Sequence, residues 1–176
     1  MITVKDKNFD VLISQDEIQS VVERTAEIIK KSDEVIILVM ANGANWYAQR
    51  VFDKIPTLVV DIEYALLKSY SEDKQIDLVA VSLPETKLIQ GKTLIILEDI
   101  IDSGRTMEYM VRWGKHIAQA KNVYVCPMCV REGIDLAHYN VKNNPFVIAS
   151  DKWVIGCGFD YEHIGRNLGS IYYMVD

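Results

Sequence analysis

The chain has 176 residues, 49% of them apolar and 25% charged, with a net charge of -6. This is the balance of a globular chain with length for one core, and its acidic excess excludes a nonspecific nucleic-acid binder, which needs clustered Lys and Arg. No apolar run approaches the roughly 20 residues that span a bilayer, the start Met1 to Lys7 lacks a signal-peptide core, and three cysteines fit a reducing cytoplasm better than a disulfide framework.

Ser14-Gln15-Asp16-Glu17 is a capping box and opens a helix, with Ile18, Val22, Ala26 and Ile29 on one face. Glu34 to Met40 reads as a buried strand, broken by the turn Ala41 to Asn45. Trp46 to Phe52 is a short helix that Pro56 stops. Thr57 to Ile62 and Leu78 to Leu83 are β-rich runs separated by the polar stretch Lys68 to Asp77. Leu94 to Leu97 is a strand followed by a helix from about Thr106 to Ala118. Val123 to Val130, Trp153 to Gly158 and Ile171 to Val175 complete the strand set. Alternating strands and helices predict an α/β fold over 1–176 as one domain, with a mainly parallel twisted sheet flanked by helices.

The segment Leu94 to Thr106 carries most of the chemistry. An aliphatic run ends in the acidic pair Glu98 and Asp99, then Ile100, Ile101 and Asp102, then the turn Ser103-Gly104-Arg105-Thr106 at a helix start. Such a loop offers free backbone N–H groups, and the helix dipole favours an anion there. Carboxylates beside a phosphate repel it unless they face something else, such as sugar hydroxyls or a magnesium ion. A sugar with phosphate at one end and metal-bound phosphate at the other satisfies both halves.

This pattern resembles the phosphoribosyl-diphosphate (PRPP) motif of type I phosphoribosyltransferases, in the variant of the hypoxanthine-guanine enzymes. The resemblance implies a hood built from the chain ends above the sheet. It implies that Glu98 through Thr106 hold the ribose and 5-phosphate of PRPP, with Asp102 as general base near the purine N7. The stretch Asp151 to Tyr161 is similar to the family's nucleobase segment, with Trp153 stacking on the base and Val154 offering backbone groups. Asp160 matches a residue at the base edge and the magnesium-bound pyrophosphate, so the metal residues implied for Mg2+ are Glu98, Asp99 and Asp160. Arg166 matches an arginine that reaches pyrophosphate.

Leu67-Lys68-Ser69-Tyr70 resembles the start of the family's mobile loop, at Ser69 and Tyr70, although glycines common there are missing. Ala41, Asn42 and Gly43 match the pyrophosphate turn, with Ala41 in the place of a lysine and a strained or cis peptide expected at Met40–Ala41. Arg131 stands where the family has a lysine donating to the purine's exocyclic oxygen, which favours a 6-oxo group over adenine's 6-amino group. Cys126 and Cys129 lie in an apolar strand with no second pair to complete a zinc site, and read as buried structural thiols.

The resemblance implies PRPP and a purine base as substrates, hypoxanthine or guanine giving IMP or GMP, and a homodimer or homotetramer. Three rivals share the motif: an RNA-binding regulator of the pyrimidine-operon type, a transferase for xanthine or a pyrimidine, and a PRPP binder without turnover. The acidic composition and the purine-type segment count against the first.

Overall fold

The computed structural model describes residues 1–56, 58, 60–72 and 75–175, with side chains for all of these but 69–72 and 75–79. Its first strands, β1 (Ile2–Val4) and β2 (Lys7–Ile13), form a hairpin before helix α1 (Gln15–Lys30). Ser14 caps α1: its hydroxyl accepts from the Glu17 N–H while the Glu17 side chain accepts from the Ser14 N–H. Strand β3 (Val35–Met40) is buried at all six residues and leads to α2 (Asn45–Phe52). Then come β4 (Asp61–Glu72), β5 (Gln75–Ser82), the single turn α3 (Thr86–Ile89) and the motif strand β6 (Thr93–Ile101).

Helix α4 (Arg105–Arg112) follows and widens into a π-helical turn, Trp113–Ile117, where Gly114 fits against Leu94 and Val123. Strand β7 (Asn122–Arg131), a 3-10 turn at Leu136–Tyr139, β8 (Phe146–Ile148), β9 (Val154–Ile155) and β10 (Ile171–Met174) close the chain.

The main sheet has the order β5-β4-β3-β6-β7-β8, with every neighbouring pair parallel except the β4–β5 hairpin. The second sheet, β1-β2-β10-β9, joins both chain ends and is the hood. Helices α1 and α2 pack on each other and against the central strands. Their seam holds a buried polar knot in which the Tyr47 hydroxyl lies 2.6 Å from Thr25 Oγ1, and Asn143 Nδ2 donates to both oxygens and to the Pro127 carbonyl. Pro127 sits inside β7 opposite Glu98 and has no N–H to give β6 at that rung.

Several predicted boundaries move, among them the motif strand, which runs Thr93–Ile101 rather than Leu94 to Leu97 and so carries the acidic pair within it. The polar stretch from Lys68 is strand rather than loop, because the ladder from Leu66↔Ser82 to Glu72↔Gln75 continues through it; cross-strand pairing overrides residue preference. The run from Thr57 begins outside the described residues (Thr57 and Val59), and strand pairing starts at Asp61. The strand predicted over Trp153 to Gly158 stops at Ile155, since Gly156, Cys157 and Gly158 all take positive φ.

Candidate active site

Strands β3 and β6 are neighbours, and the chain leaves them in opposite directions, to β4 on one side and β7 on the other. Such a switch point opens a crevice beyond the carboxyl ends of the strands. A pocket of about 230 Å³ lies there, lined by Met40, Ala41, Gly43, Leu67, the run Glu98 through Gly104, Thr106 and Met107. That is below the roughly 300–1,000 Å³ of sites that enclose a whole small molecule. Arg105 is the one motif residue whose side chain lines a different groove, on the outer side of α4 with Tyr109 and Trp113.

Glu98 is only 7% exposed, and Asp99 beside it is half-buried. The Asp99 N–H donates to Glu98 Oε1 at 3.2 Å, and the Ile100 N–H to Asp99 Oδ1 at 2.9 Å. Burial pushes the Glu98 carboxyl well above the usual range, and the charge on Asp99 adds to the shift. Burial also raises Asp99, partly offset by its hydrogen bonds and by the Arg166 charge. Two desolvated carboxylates in a pocket are satisfied by hydroxyl donors or by a hard cation. As a pair of oxygen donors they fit a hard cation such as Mg2+.

Among the described residues no three His, Cys, Asp or Glu side chains converge as a metal site, so Asp160 does not join Glu98 and Asp99 in one. The reason is local. Asp160 Oδ1 is paired with Arg166 Nη2 at 2.5 Å, and Asp160 Oδ2 accepts the His163 N–H at 2.8 Å.

The phosphate loop turns at Gly104, the N-cap of α4, whose φ of 79° suits glycine. Ser103, Gly104 and Thr106, at the start of α4, line the pocket, and the free first-turn N–H groups of a helix favour an anion there. The Tyr139 hydroxyl fills the space a Cβ on Gly104 would need, so the 3-10 turn buttresses this loop.

The pyrophosphate turn differs from expectation by one bond: the cis peptide is Ala41–Asn42. The Met40–Ala41 peptide stays in the strand ladder, its Ala41 N–H donating to the Ala65 carbonyl at 2.8 Å. Asn42-Gly43, not Ala41-Asn42, therefore follows the cis bond, and no lysine stands there. Gly43 is pressed against Asp99, where a Cβ would overlap Oδ2, and Gly158 is pressed against the Gly43 carbonyl. Arg166 Nη1 donates to the Gly158 carbonyl at 2.6 Å. Hood, pyrophosphate turn and acidic pair thus touch in sequence.

On the base side, Arg131 at the end of β7 donates from Nε to Asp102 Oδ1 at 2.7 Å. Its Nη1 donates to the carbonyls of Ala149 at 3.0 Å and Lys152 at 2.9 Å. Trp153 is 58% exposed, so it is not a core tryptophan, while Val154 is buried in β9. The backbone of Ser69 and Tyr70 runs in β4 opposite Leu78 and Asp77, and their side chains lie outside the described residues.

The sequence profile of the phosphoribosyl transferase domain matches residues 14–162, which include both the motif strand and the nucleobase segment. The chain belongs to that family. It is 28% identical over 164 residues to the hypoxanthine-guanine-xanthine phosphoribosyltransferase of Tritrichomonas foetus, covering 90% of this chain and 87% of that one. It is 28% identical over 175 residues to the hypoxanthine phosphoribosyltransferase of Haemophilus influenzae, covering 96% of each. The crystal structure of a Staphylococcus aureus hypoxanthine phosphoribosyltransferase matches with a TM-score of 0.80 over 97% of this chain and 92% of that one, at 18% identity, a likeness of fold.

Within this phosphoribosyltransferase the cysteines are bystanders. Cys126, Cys129 and Cys157 are free and buried, and burial pushes the thiols of Cys126 and Cys157 up to about 12 and that of Cys129 well above its ordinary value. Neutral burial stabilises the fold below the ordinary thiol value of 9.0, and that contribution is lost as pH rises toward about 12. At pH 8, a disulfide reagent should therefore label none of the three until denaturant is added; stoichiometric labelling of the folded protein would contradict their burial.

Proposed function

We propose that this phosphoribosyltransferase transfers the 5-phosphoribosyl group of PRPP to a 6-oxopurine, hypoxanthine or guanine, releasing pyrophosphate and giving IMP or GMP. The observation that carries the reading is the Glu98–Asp99 pair, one carboxyl buried and the other half-buried, set directly beside the glycine-turned helix start in one pocket at the sheet's switch point.

Ser103, Gly104, Arg105 and Thr106 bind the 5-phosphate, Arg105 through its backbone since its side chain faces outward. Glu98 and Asp99 face the ribose hydroxyls and would hold the Mg2+ that accompanies pyrophosphate, which would supply charge neutralisation at the leaving group. Ala41, Asn42 and Gly43 hold pyrophosphate through main-chain groups. Arg166, carried on the hood by Asp160, adds the positive charge that the turn lacks. Trp153 stacks on the purine, Val154 presents backbone groups to its edge, and Arg131 donates to the 6-oxo group. Asp102 takes the proton from the purine nitrogen as the bond to the sugar forms.

Leu67 lines the pocket, so the β4–β5 hairpin that runs on through Ser69 and Tyr70 is the segment that excludes water from the reacting sugar. The reading places the enzyme among purine-salvage enzymes of the cytoplasm, working as a homodimer or homotetramer.

Incubation with PRPP, Mg2+ and hypoxanthine should produce IMP and pyrophosphate in equal amounts. Binding of PRPP without nucleotide formation would overturn the proposal in favour of a PRPP-sensing protein.

A further inference from the structure

Arg131 is only 19% exposed and has five N–H donors, three of which are already committed. The single N–H on Nε goes to Asp102, and both on Nη1 go to the Ala149 and Lys152 carbonyls. Among the described residues, only the Nη2 pair is left for a ligand. Strand register explains the reach: Ile101 lies opposite Val130, so Asp102 and Arg131 leave adjacent strands together, and Arg131 is itself paired with Ile148 on the other side. The planar guanidinium therefore bridges the end of the phosphate-loop strand to the turn that carries Trp153. A lysine ammonium has three donors, but all on one nitrogen, and lacks the separated Nε and Nη1 positions by which Arg131 reaches the carboxylate and the two carbonyls.

Asp102 needs that bridge. Its side chain is 64% exposed, and among the described residues Arg131 is its one side-chain partner. An exposed carboxylate on a loop has several rotamers, and a group that must meet a proton at one place loses rate when it samples others.

We infer that Arg131 is a positioning residue for Asp102: it fixes the carboxylate and the base-side turn as one unit, and binding the exocyclic oxygen of the base is its lesser role. The inference rests on the 6-oxopurine reading and goes beyond it by placing the consequence of losing Arg131 in turnover rather than in base affinity.

A double-mutant cycle tests it with PRPP and hypoxanthine in the full-length protein: wild type, Arg131→Met, Arg131→Lys, Asp102→Asn, and each Arg131 variant combined with Asp102→Asn. Arg131→Met should lower kcat by about 30- to 100-fold and change the KM for PRPP by less than about 3-fold. Arg131→Lys, which keeps the charge but not the fork, should leave most of the kcat loss, with the KM for hypoxanthine within about 3-fold of the wild-type value in both variants. In the Asp102→Asn background either Arg131 change should cost less than about 3-fold more, because a positioning residue has nothing left to position.

A loss confined to the KM for hypoxanthine, or losses that multiply across the cycle, would overturn the inference and leave Arg131 as a base-binding donor. If Arg131→Met fails to fold, the Arg131→Lys arm gives the same decision. Absence of IMP from the wild-type protein sinks the proposed function; IMP formation with multiplying losses sinks only the positioning role.

Discussion

Gly158→Ala should abolish nucleotide formation and destabilise the fold by about 2–4 kcal/mol, combining a methyl forced into close packing with a side chain at a strained backbone angle. Gly158 has a φ of 108°, and the place for its Cβ is filled by the main-chain carbonyl of Gly43. Neither obstacle can swing aside, since both are backbone. The turn that carries Gly43 would be pushed toward the Asp99 carboxylate, which already fills the Cβ position of Gly43.

Gly43→Ala separates the two effects. It leaves the hood contact in place and displaces only the Asp99 carboxylate, so activity should fall by about 100-fold or more with a stability loss nearer 1–2 kcal/mol. Urea unfolding paired with initial rates distinguishes them. Near-normal activity in Gly158→Ala would mean that the hood does not rest on the pyrophosphate turn during turnover.

Asp102→Asn should lower kcat by about 10²- to 10⁴-fold, the usual contribution of a general base. The KM for PRPP should stay within about 3-fold, since the phosphate and ribose contacts come from Glu98, Asp99 and the loop. Asparagine retains an oxygen for the Arg131 Nε–H, so the connection across the strand ends is kept while proton affinity is lost. The fold should be unaffected, because the side chain is largely exposed. Unchanged turnover would remove Asp102 from the reaction.

How far these positions could be read from the amino-acid order depends on whether their cause is local. The capping box at Ser14 and the buried run Val35–Met40 are set by neighbours in the chain and stand where expected, while the motif strand expected over Leu94 to Leu97 runs on through the acidic pair to Ile101 before the loop. The hood was implied by resemblance alone, since β1 and β9 are too short to leave a periodic signal. The extension of β4 and β5 through a polar stretch comes from pairing between strands, which composition does not encode.

Long-range contacts were the least legible part of the site. The Gly158–Gly43–Asp99 stack joins three distant segments, and the only trace in sequence is that glycines occupy two of the three places. Tyr139 behind Gly104 left no trace at all. Arg131 was legible as a departure from a lysine, but its three anchors depend on which strand ends lie side by side. The cis peptide lies at Ala41–Asn42, one bond beyond the expected place, with the Ala41 N–H still bonded to the Ala65 carbonyl.

The central claim is that the site joins a phosphoribosyl group to a purine bearing a 6-oxo group. Initial rates with PRPP and Mg2+ across hypoxanthine, guanine, xanthine, adenine and uracil test it most directly. Hypoxanthine or guanine should give the highest kcat/KM, with adenine and uracil lower by about 100-fold or more, because adenine's 6-amino group presents a donor to a donor. Equal or faster turnover of adenine or uracil would contradict the assignment of Arg131, Trp153 and Val154 to a 6-oxopurine.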